Sequence, residues 1–295
     1  MIKIIYEEKK IRKLNKMEYT SSKYHIDEML INWILKMYQN YEWTLTFSDK
    51  RVADWPLMQS PIPTVALILI YLSTVRYGPQ IMKSRQPFQL RWVLVFYNLF
   101  MTLLNLYIAV ELLVCALQRN YNWSCQLVDH SDNPYEIRIA KALWWYYFSK
   151  LLEFCDTFFF ILRKKNNQLT FLHIYHHSTM FGLWWIGVKW VPGGSALPGA
   201  MANSFVHVLM YLYYTLSAIG PAIQPYLWWK KYLTIIQLIQ FASAVAMGIK
   251  AIIYDCQFTR WMQYALVAYS FSFIVLFGNF YVNSYSKKKI QKKEE

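Results

Sequence analysis

Residues 92–117 read WVLVFYNLFMTLLNLYIAVELLVCAL, an apolar run in which Glu111 is the only charged side chain. A helix of about 20 apolar residues crosses the hydrocarbon core of a bilayer, so this stretch predicts a transmembrane helix. The composition agrees, because 56 % of the 295 residues are hydrophobic and only 16 % are charged, which excludes an ordinary soluble protein. The chain is therefore predicted to be an all-α polytopic membrane protein.

Six further apolar stretches accompany this one, so we predict seven transmembrane helices. Aromatic residues make up 19 % of the chain, as expected where Trp and Tyr anchor helices at membrane interfaces. The predicted spans cover residues 61–77, 92–117, 140–162, 171–190, 198–219, 232–254 and 261–285. This division leaves residues 1–60 as an N-terminal lumenal segment, residues 61–286 as the transmembrane domain and residues 287–295 as a basic cytoplasmic tail.

Lysine and arginine are divided unevenly between the two sets of connecting loops. One set, together with the tail, carries fourteen of them, whereas the alternate set carries five. Because basic loops stay on the cytoplasmic side, the C-terminus is predicted to be cytoplasmic and, with seven spans, the N-terminus lumenal. The first sixty residues carry ten basic residues, which conflicts with that rule, although long segments obey it weakly.

Two short motifs agree with this orientation. Asn122-Trp123-Ser124 is a glycosylation sequon in a predicted lumenal loop, so Asn122 is a candidate glycosylation site. The chain ends Lys292-Lys293-Glu294-Glu295, the dilysine pattern by which the coat machinery retrieves membrane proteins from the cytoplasmic side. The motif predicts residence in the endoplasmic reticulum membrane, and a merely solvated basic tail is the alternative.

Two of the four cysteines fall in predicted lumenal loops, on the oxidising side of the membrane. A disulfide between Cys125 and Cys256 would join the loop after the second span to the loop after the sixth. Two free lumenal thiols are the alternative interpretation.

Ionisable side chains at membrane depth are costly, and by default they face the interior of the helical bundle and mark function. The third span contains Lys150, Glu153, Asp156 and Thr157, and a regular helix places Lys150, Glu153 and Thr157 on one face with Asp156 at its edge. A simple ion pair between Lys150 and Glu153 would explain those two residues but would leave Asp156 unexplained.

Histidines gather on the next two spans. His173, His176 and His177 share one face of the fourth span, while the fifth presents a stripe that contains Asn203, His207 and Tyr211. Two amides, Gln237 and Gln240, follow at helical spacing on the sixth span. A lone buried histidine is usually a packing residue, but four of the six histidines on two neighbouring spans indicate an active site.

Two kinds of chemistry fit these residues. The box HxxHH resembles those of di-iron desaturases and hydroxylases, but such sites need about eight histidines and this chain offers four at membrane depth. A mononuclear zinc site from three histidines and one acid matches in ligand count. Catalysis by imidazole without a metal is the favoured interpretation, with a carboxylate such as Asp156 orienting a histidine that accepts an acyl group or a proton.

Four runs together carry a family resemblance: KLLEFCDT from Lys150, HIYHH from His173, NSFVHVLMY from Asn203 and TIIQLIQ from Thr234. In order and spacing they resemble the signatures of the ELO family of very-long-chain fatty acid elongases. Further matches are GPQIMKSRQPF at residues 78–88, the pair Tyr97-Asn98, and Phe280-Tyr281 with Tyr285. The resemblance covers residues 49–285, and it leaves the first forty or so residues without a counterpart.

The resemblance implies the condensing step of fatty acid elongation, in which acyl-CoA and malonyl-CoA give 3-oxoacyl-CoA, CO₂ and free CoA. It also implies that spans two to seven form a barrel around a narrow tunnel, with the first span outside. No cofactor is implied beyond these two substrates. Both CoA groups would enter from the cytoplasm, where their phosphates can meet five basic side chains: Arg163, Lys164, Lys165, Lys230 and Lys231.

Our mechanistic hypothesis is a two-stage reaction. His176 attacks the thioester and carries the acyl group, and His207 then positions or protonates the charge that develops when malonyl-CoA loses CO₂. The hydrogen-bond partners are expected among His177, His173, Asn203 and Gln237. A direct condensation, in which the histidines act only as acid and base, is the rival mechanism.

Several questions stay open at this stage. The box begins with His173, and this favours saturated and monounsaturated acyl chains by resemblance to the vertebrate branches. A seven-span receptor would share the topology. The expected partners are the lipid bilayer and the reductase, dehydratase and enoyl reductase of the elongation cycle, with homo-oligomer formation left open and no nucleic acid.

Overall fold

A computed structural model describes residues 28–286, and within that range every regular element is helical. The longer helices are α1 at residues 28–45, α2 Ile62–Ile81, α3 Arg91–Gln118, α4 Pro134–Leu152, α5 Phe154–Leu162, α6 Phe171–Trp190, α7 Leu197–Ile219, α8 Lys230–Ile253 and α9 Arg260–Tyr281. The predicted all-α class is therefore confirmed. The dilysine pair Lys292 and Lys293 lies outside the described residues and stays a prediction.

Four helices of the described range are long and apolar enough to cross a membrane: α2, α3, α8 and α9 with the turn that follows it. The chain is thus a multi-pass membrane protein, as the sequence predicted. The helices α4, α6 and α7 are less apolar because they carry the polar clusters, such as His173, His176, His177 and Lys189 on α6. Polar residues that face a bundle interior lower the mean hydropathy of a helix that is otherwise apolar.

The third predicted span consists of two helices and not one. Helix α4 ends at Leu152, Glu153 forms a turn, and α5 begins at Phe154. The Asp156 N–H donates to the Glu153 carbonyl at 3.1 Å, a tighter i→i+3 step than an α-helix makes. The turn changes the direction of the side chains that follow, so the regular spacing assumed for residues 150–157 does not hold across Glu153.

Six helices pack on one another in a cyclic order. Helix α3 contacts α4 and α7, α4 contacts α6, α6 contacts α9, α9 contacts α8, and α8 contacts α7. Aromatic rings fill several of these seams: Tyr147 stacks on Phe181 between α4 and α6, and Phe241 stacks on Phe273 between α8 and α9. Helix α2 lies against α6 and α5, outside this cycle.

The connecting segments meet at two opposite ends of these helices. At one end the Phe88 N–H donates to the Leu162 carbonyl, and the Lys164 ammonium donates to the Lys83 carbonyl, both at 3.0 Å. At the other end the Ser195 N–H donates to the Gln126 carbonyl at 2.8 Å. The loops that the sequence assigned to one side of the membrane are therefore fastened to one another.

The second of these ends also holds the segment that precedes α2. The indole N–H groups of Trp144 and Trp185 donate to the Pro56 and Leu57 carbonyls at 3.0 and 2.7 Å. The buried Lys189 ammonium donates to the Met58 carbonyl at 3.0 Å. The segment is irregular, so its carbonyl groups have no partners within a helix. These bonds satisfy them, because a buried carbonyl without a hydrogen bond would be costly. Residues 28–48, which include α1, belong to a separate compact unit from the one that begins at Asp49.

Candidate active site

The candidate site is built around the turn between α4 and α5, where Glu153 is completely buried. Its Oε1 accepts from the Lys150 ammonium at 2.7 Å, and the same ammonium donates to Asn203 Oδ1 at 3.2 Å. Asn203 Oδ1 also accepts from the Tyr146 hydroxyl at 2.6 Å. A buried charge pair is tolerated when further hydrogen bonds satisfy it, and here α7 supplies the amide that does so.

Two imidazoles flank the Glu153 carboxylate. His207 Nε2 lies 3.6 Å from Oε1, and His177 Nδ1 lies 3.9 Å from Oε2. Because Glu153 occupies the turn between two helices, its side chain reaches both α6 and α7. Glu153 thus lies next to the histidines, where a carboxylate such as Asp156 was predicted to orient an imidazole.

Asp156 faces a different partner. Its Oδ2 accepts from the Tyr211 hydroxyl at 2.7 Å, and the Tyr211 ring lies 6.1 Å from that of Tyr97. The turn at Glu153 is the physical reason, since it separates the directions of the two carboxylates. Asp156 therefore orients Tyr211 of α7. Glu153, and not Asp156 as the sequence predicted, is the carboxylate that lies next to the imidazoles.

His207 has a defined tautomer when it is neutral. Its Nδ1 lies 2.9 Å from the Asn203 carbonyl, which can only accept a hydrogen bond, so Nδ1 carries a proton. The lone pair then lies on Nε2, the nitrogen that faces Glu153. This imidazole can take up a proton at Nε2 next to a carboxylate and release it there, as general acid–base catalysis requires.

His176 lies between the two histidines that border Glu153. Its ring centroid is 5.1 Å from that of His177 and 6.2 Å from that of His207. On its other side it meets the edge of Phe273 at 5.5 Å, and it is only partly buried, whereas His177 is 8 % exposed. His176 is therefore the most accessible imidazole of this group.

His173 belongs to the same helix face but forms a separate chain of hydrogen bonds. Its Nε2 lies 2.7 Å from the Thr157 hydroxyl, which lies 3.1 Å from the Tyr71 hydroxyl of α2. The His173 and His177 rings are 4.2 Å apart. His173 thus holds the first turn of α6 against α2 and α5. It is linked to Glu153 only through its ring contact with His177.

Several buried polar atoms of the site have no hydrogen-bond partner among residues 28–286: Glu153 Oε2, His177 Nδ1 and Gln240 Oε1. Buried polar groups in native proteins are nearly always paired, so unpaired ones mark places where water or a ligand binds. Gln237 lies nearby in sequence on α8, and its amide contacts Met210 Sδ at 4.0 Å. Gln240 thus leaves one buried polar atom available to a ligand or water.

One group of side chains in the described range has the composition of a metal site. The ligand atoms of Glu153, His176 and His177 lie within 4.8 Å of one another. A tetrahedral zinc ion with bonds of about 2.0–2.2 Å needs its ligand atoms about 3.3 Å apart, so these side chains would have to move together. The Lys150 ammonium bound to Glu153 would also repel a cation placed there.

The five predicted CoA-binding residues lie at the end of the molecule that holds the α2–α3 connection. Arg163 and Lys164 are half-buried after α5, whereas the other three are exposed: Lys165, Lys230 and Lys231. Lys230 and Lys231 begin α8. The five basic side chains therefore all lie near the C-terminus of α5 or the N-terminus of α8.

The opposite end contains the predicted disulfide and glycosylation residues. Cys125 and Cys256 are joined by a disulfide, with their Cα atoms 5.7 Å apart. Asn122 is exposed, and its Oδ1 accepts from the Ser124 N–H at 2.9 Å. The Lys250 ammonium donates to the Ser124 hydroxyl at 2.8 Å, so this lysine contacts the sequon.

The sequence did not assign a role in the site to three tyrosines that support it: Tyr71, Tyr97 and Tyr146. Tyr97 was named there only as part of the family resemblance. Tyr146 stands four residues before Lys150, a spacing that places both on one helix face and could have identified it. The Tyr97 hydroxyl donates to the Leu152 carbonyl at 3.1 Å, at the break before Glu153. Tyr71 gave no signal in the sequence, because a single hydroxyl in an apolar span does not show which helix it meets.

The site combines a buried carboxylate, three neighbouring imidazoles and an amide partner in a multi-pass membrane protein, as the family resemblance leads one to expect. The family model described as ELO: GNS1/SUR4 family matches residues 56–293. The chain belongs to the ELO family. The match includes every helix of the site and begins after α1.

Similarity to named proteins covers most of the chain. This chain is 56 % identical over 252 residues to "Very long chain fatty acid elongase 4" of Mus musculus, a match covering 85 % of this chain and 81 % of that protein. The human protein of the same name is 56 % identical over 84 % of this chain and 79 % of its own length. "Very long chain fatty acid elongase 5" of Tachysurus fulvidraco is 50 % identical, covering 84 % and 83 %.

Proposed function

We propose that this ELO family condensing enzyme of fatty acid elongation carries the growing chain on His176 as an acyl-imidazole. The overall reaction converts acyl-CoA and malonyl-CoA into 3-oxoacyl-CoA, CO₂ and CoA. The observation that carries the proposal is the shared carboxylate, Glu153, which borders His177 and His207 while His176 stands accessible between them. Such an arrangement pairs a nucleophile with neighbouring acid–base groups.

In the first stage a nitrogen of His176 attacks the thioester carbon. The new N–C bond forms, the C–S bond breaks, and CoA leaves as a thiolate that takes up the proton released by the imidazole. The acyl-imidazole has a transfer potential similar to that of the thioester, so the energy of the bond is kept. Lys150 and Glu153 stabilise the charges of this step because they are fixed before it begins.

In the second stage malonyl-CoA loses CO₂, and the resulting enolate attacks the acyl carbon. The C–C bond forms, the C–N bond to His176 breaks, and the departing imidazole nitrogen takes up a proton from water. That proton replaces the one that left with CoA and returns the imidazole to its starting state. Once protonated at Nε2, His207 donates a hydrogen bond or a proton to the developing enolate oxygen. His177, His173, Asn203 and Gln237 complete the proposed set of hydrogen-bond partners.

The membrane arrangement that suits this reaction has seven spans, of which six surround a tunnel. The cyclic packing of α3, α4, α6, α9, α8 and α7, with α2 outside it, supports this proposal. An acyl chain in the tunnel would extend toward the end that carries the disulfide. The CoA phosphates would remain at the basic end with Arg163, Lys164, Lys165, Lys230 and Lys231.

The basic end faces the cytoplasm in this proposal, and the disulfide-bearing end faces the lumen of the endoplasmic reticulum. A disulfide requires the oxidising side, which supports the assignment of Cys125 and Cys256 to the lumen. Glycosylation of Asn122 would agree with it, and the dilysine pair would retain the enzyme in this membrane. There the product would pass to a reductase, a dehydratase and an enoyl reductase.

The substrates are long and very long acyl chains, as the names of the relatives suggest. Because the box begins with His173, we propose saturated and monounsaturated chains. Purified protein supplied with acyl-CoA esters from C14 to C26 and labelled malonyl-CoA would reveal the preferred length. An enzyme that extended only polyunsaturated esters would contradict this part of the proposal.

The same assay tests the function itself. Membranes that contain the protein should incorporate the malonyl label into longer acyl-CoA products, and His176→Ala should abolish incorporation. Activity should persist after stringent metal chelation, because the imidazoles act without a metal ion in this proposal. Absence of label incorporation, as expected of a seven-span receptor, would reject the proposal. Consumption of O₂ and reducing equivalents, as expected of a desaturase or hydroxylase, would also reject it.

A further inference from the structure

Helix α1, at residues 28–45, is a part of the chain that the proposed reaction does not use and that precedes the family match at residue 56. We propose that α1 binds the bilayer surface as an in-plane amphipathic helix. The partner to which we assign its apolar face is the phospholipid interface. This inference rests on the proposed function only in treating α6 as a membrane span.

The sequence of α1 divides into two faces. Leu30, Trp33, Ile34, Met37 and Tyr41 recur at the i, i+3, i+4, i+7 and i+11 positions, which form one stripe on a helix. The opposite side carries Glu28, Asn32, Lys36 and Gln39, with Leu35 and Trp43 as apolar exceptions. A helix with one wide apolar face and one polar face is suited to lie in an interface and unsuited to cross it.

The apolar stripe is exposed among the described residues, 28–48, of the unit to which α1 belongs. Leu30, Trp33, Ile34 and Met37 are each between 51 and 60 % exposed. Contiguous exposed apolar side chains of this size mark an interaction surface, because water solvates them poorly. Trp33 and Tyr41 are the residue types that settle at the level of lipid headgroups.

The chain keeps α1 within reach of a bilayer. The helix ends four residues before Asp49, and the Asp49 N–H donates to the Lys189 carbonyl at 2.9 Å, one residue before the end of α6. Four extended residues span at most about 14 Å. Since α6 ends at the membrane surface in our proposal, α1 is confined to the vicinity of that surface, which greatly favours insertion over encounter with a soluble partner.

Charge indicates how the helix would bind. The described residues of α1 include Glu28, Lys36 and Glu42, so its polar face is not a basic patch. Attraction to anionic lipids needs clustered Lys and Arg. Binding should therefore depend on burial of the apolar stripe and should be nearly independent of the fraction of anionic lipid.

Site-specific photo-crosslinking in the full-length protein tests the inference. A benzophenone amino acid is placed at Ile34 or at Asn32, two residues apart and thus about 200° apart around the helix. The protein is reconstituted in phosphatidylcholine vesicles and illuminated, and the adducts are identified by mass. We expect several-fold more phospholipid adduct at position 34 than at position 32, and the same contrast between Met37 and Gln39.

Two outcomes would overturn the inference. Equal lipid adducts on both faces would show that α1 does not lie in the interface, and crosslinks from position 34 to a second copy of the chain would show that protein covers the stripe. Condensing activity is measured on the same samples. Active protein with a negative crosslinking result rejects the interfacial helix alone, whereas loss of label incorporation in wild type rejects the proposed function.

Discussion

Glu153 is the residue on which the chemistry of the site depends, because its two oxygens face three different side chains. Lys150 holds Oε1, His207 stands near the same oxygen, and His177 stands near Oε2. An isolated buried carboxylate would be unstable, and the ammonium of Lys150 makes its charge tolerable. The neighbouring Asp156 is bound to Tyr211 instead.

Glu153 borders imidazoles and Asp156 binds a tyrosine, so removing each charge should have a different effect. Glu153→Gln should lower the condensation rate by about 10²-fold or more, because it removes the charge that borders both imidazoles. Asp156→Asn should have a smaller effect, similar to that of Tyr211→Phe, since it disturbs a tyrosine contact. Rates from labelled malonyl-CoA, taken at temperatures where each variant is folded, would check this order, and a larger loss in Asp156→Asn would contradict it.

Asp49 supports a second prediction at this scale, on the pH dependence of stability. Burial raises the pKa of its carboxyl group, but hydrogen bonds and charge from Arg51, with a contribution from His130, more than offset this and leave the pKa below its ordinary value. A lowered pKa means that the stabilisation is complete above the ordinary carboxyl value of about 3.9 and is lost as the pH falls below it.

The melting temperature of Asp49→Asn should therefore be lower than that of wild type at pH 7, and the difference should shrink as the pH falls below about 4. Thermal unfolding of both proteins across this range would measure the difference. The exposed pair Arg260–Asp255 offers a control, since Asp255→Asn should change stability little at any pH. A difference that grew on acidification would contradict the assignment.

The helices show how far the sequence predicts this protein. Apolar runs located the helices well: α6 covers residues 171–190 as predicted, and its histidines share one face. The break at Glu153 was not predictable in the same way, because no Gly or Pro marks it. It depends on contacts with α3 and α7, such as those of Tyr97 and Asn203, which are tertiary and invisible to helical spacing.

Close packing of α8 and α9 gives a prediction for one element pair. A Cβ atom on Gly248 would lie 2.6 Å from Val267 Cγ2, whereas one on Gly278 of α9 would meet nothing within 4 Å. Gly248→Ala should therefore destabilise the fold by about 1–3 kcal/mol through overpacking. Gly278→Ala, the matched control, should be neutral or slightly stabilising, because Ala favours helix. Equal melting temperatures for the two variants would contradict this packing.

On the scale of the whole molecule, hydrogen bonds join the connecting segments at both ends. At the end opposite the basic one, a disulfide and the apolar cluster of Val191, Cys256 and Phe258 add to these bonds. The sequence supplied the cysteine pair, but its loops gave no hint of the Trp144 and Trp185 contacts with residues 56 and 57.

The disulfide closes a loop of 131 residues, so its loss should be felt by the whole domain. Cys256→Ser should lower stability by about 2–4 kcal/mol. The double variant Cys125→Ser/Cys256→Ser should be no less stable than the single one, because both remove the same bond. Melting temperatures in the same detergent would test this, and additive losses would mean that the two cysteines act separately.

Intact-protein mass spectrometry can show whether His176 carries the acyl chain. Wild-type enzyme incubated with a long-chain acyl-CoA and no malonyl-CoA should gain the mass of one acyl group, located on the peptide that contains His176. Addition of malonyl-CoA should remove this mass and release the 3-oxoacyl product, and His176→Ala should gain none. A wild-type enzyme that turns over without any adduct, or an adduct that persists in His176→Ala, would contradict the claim.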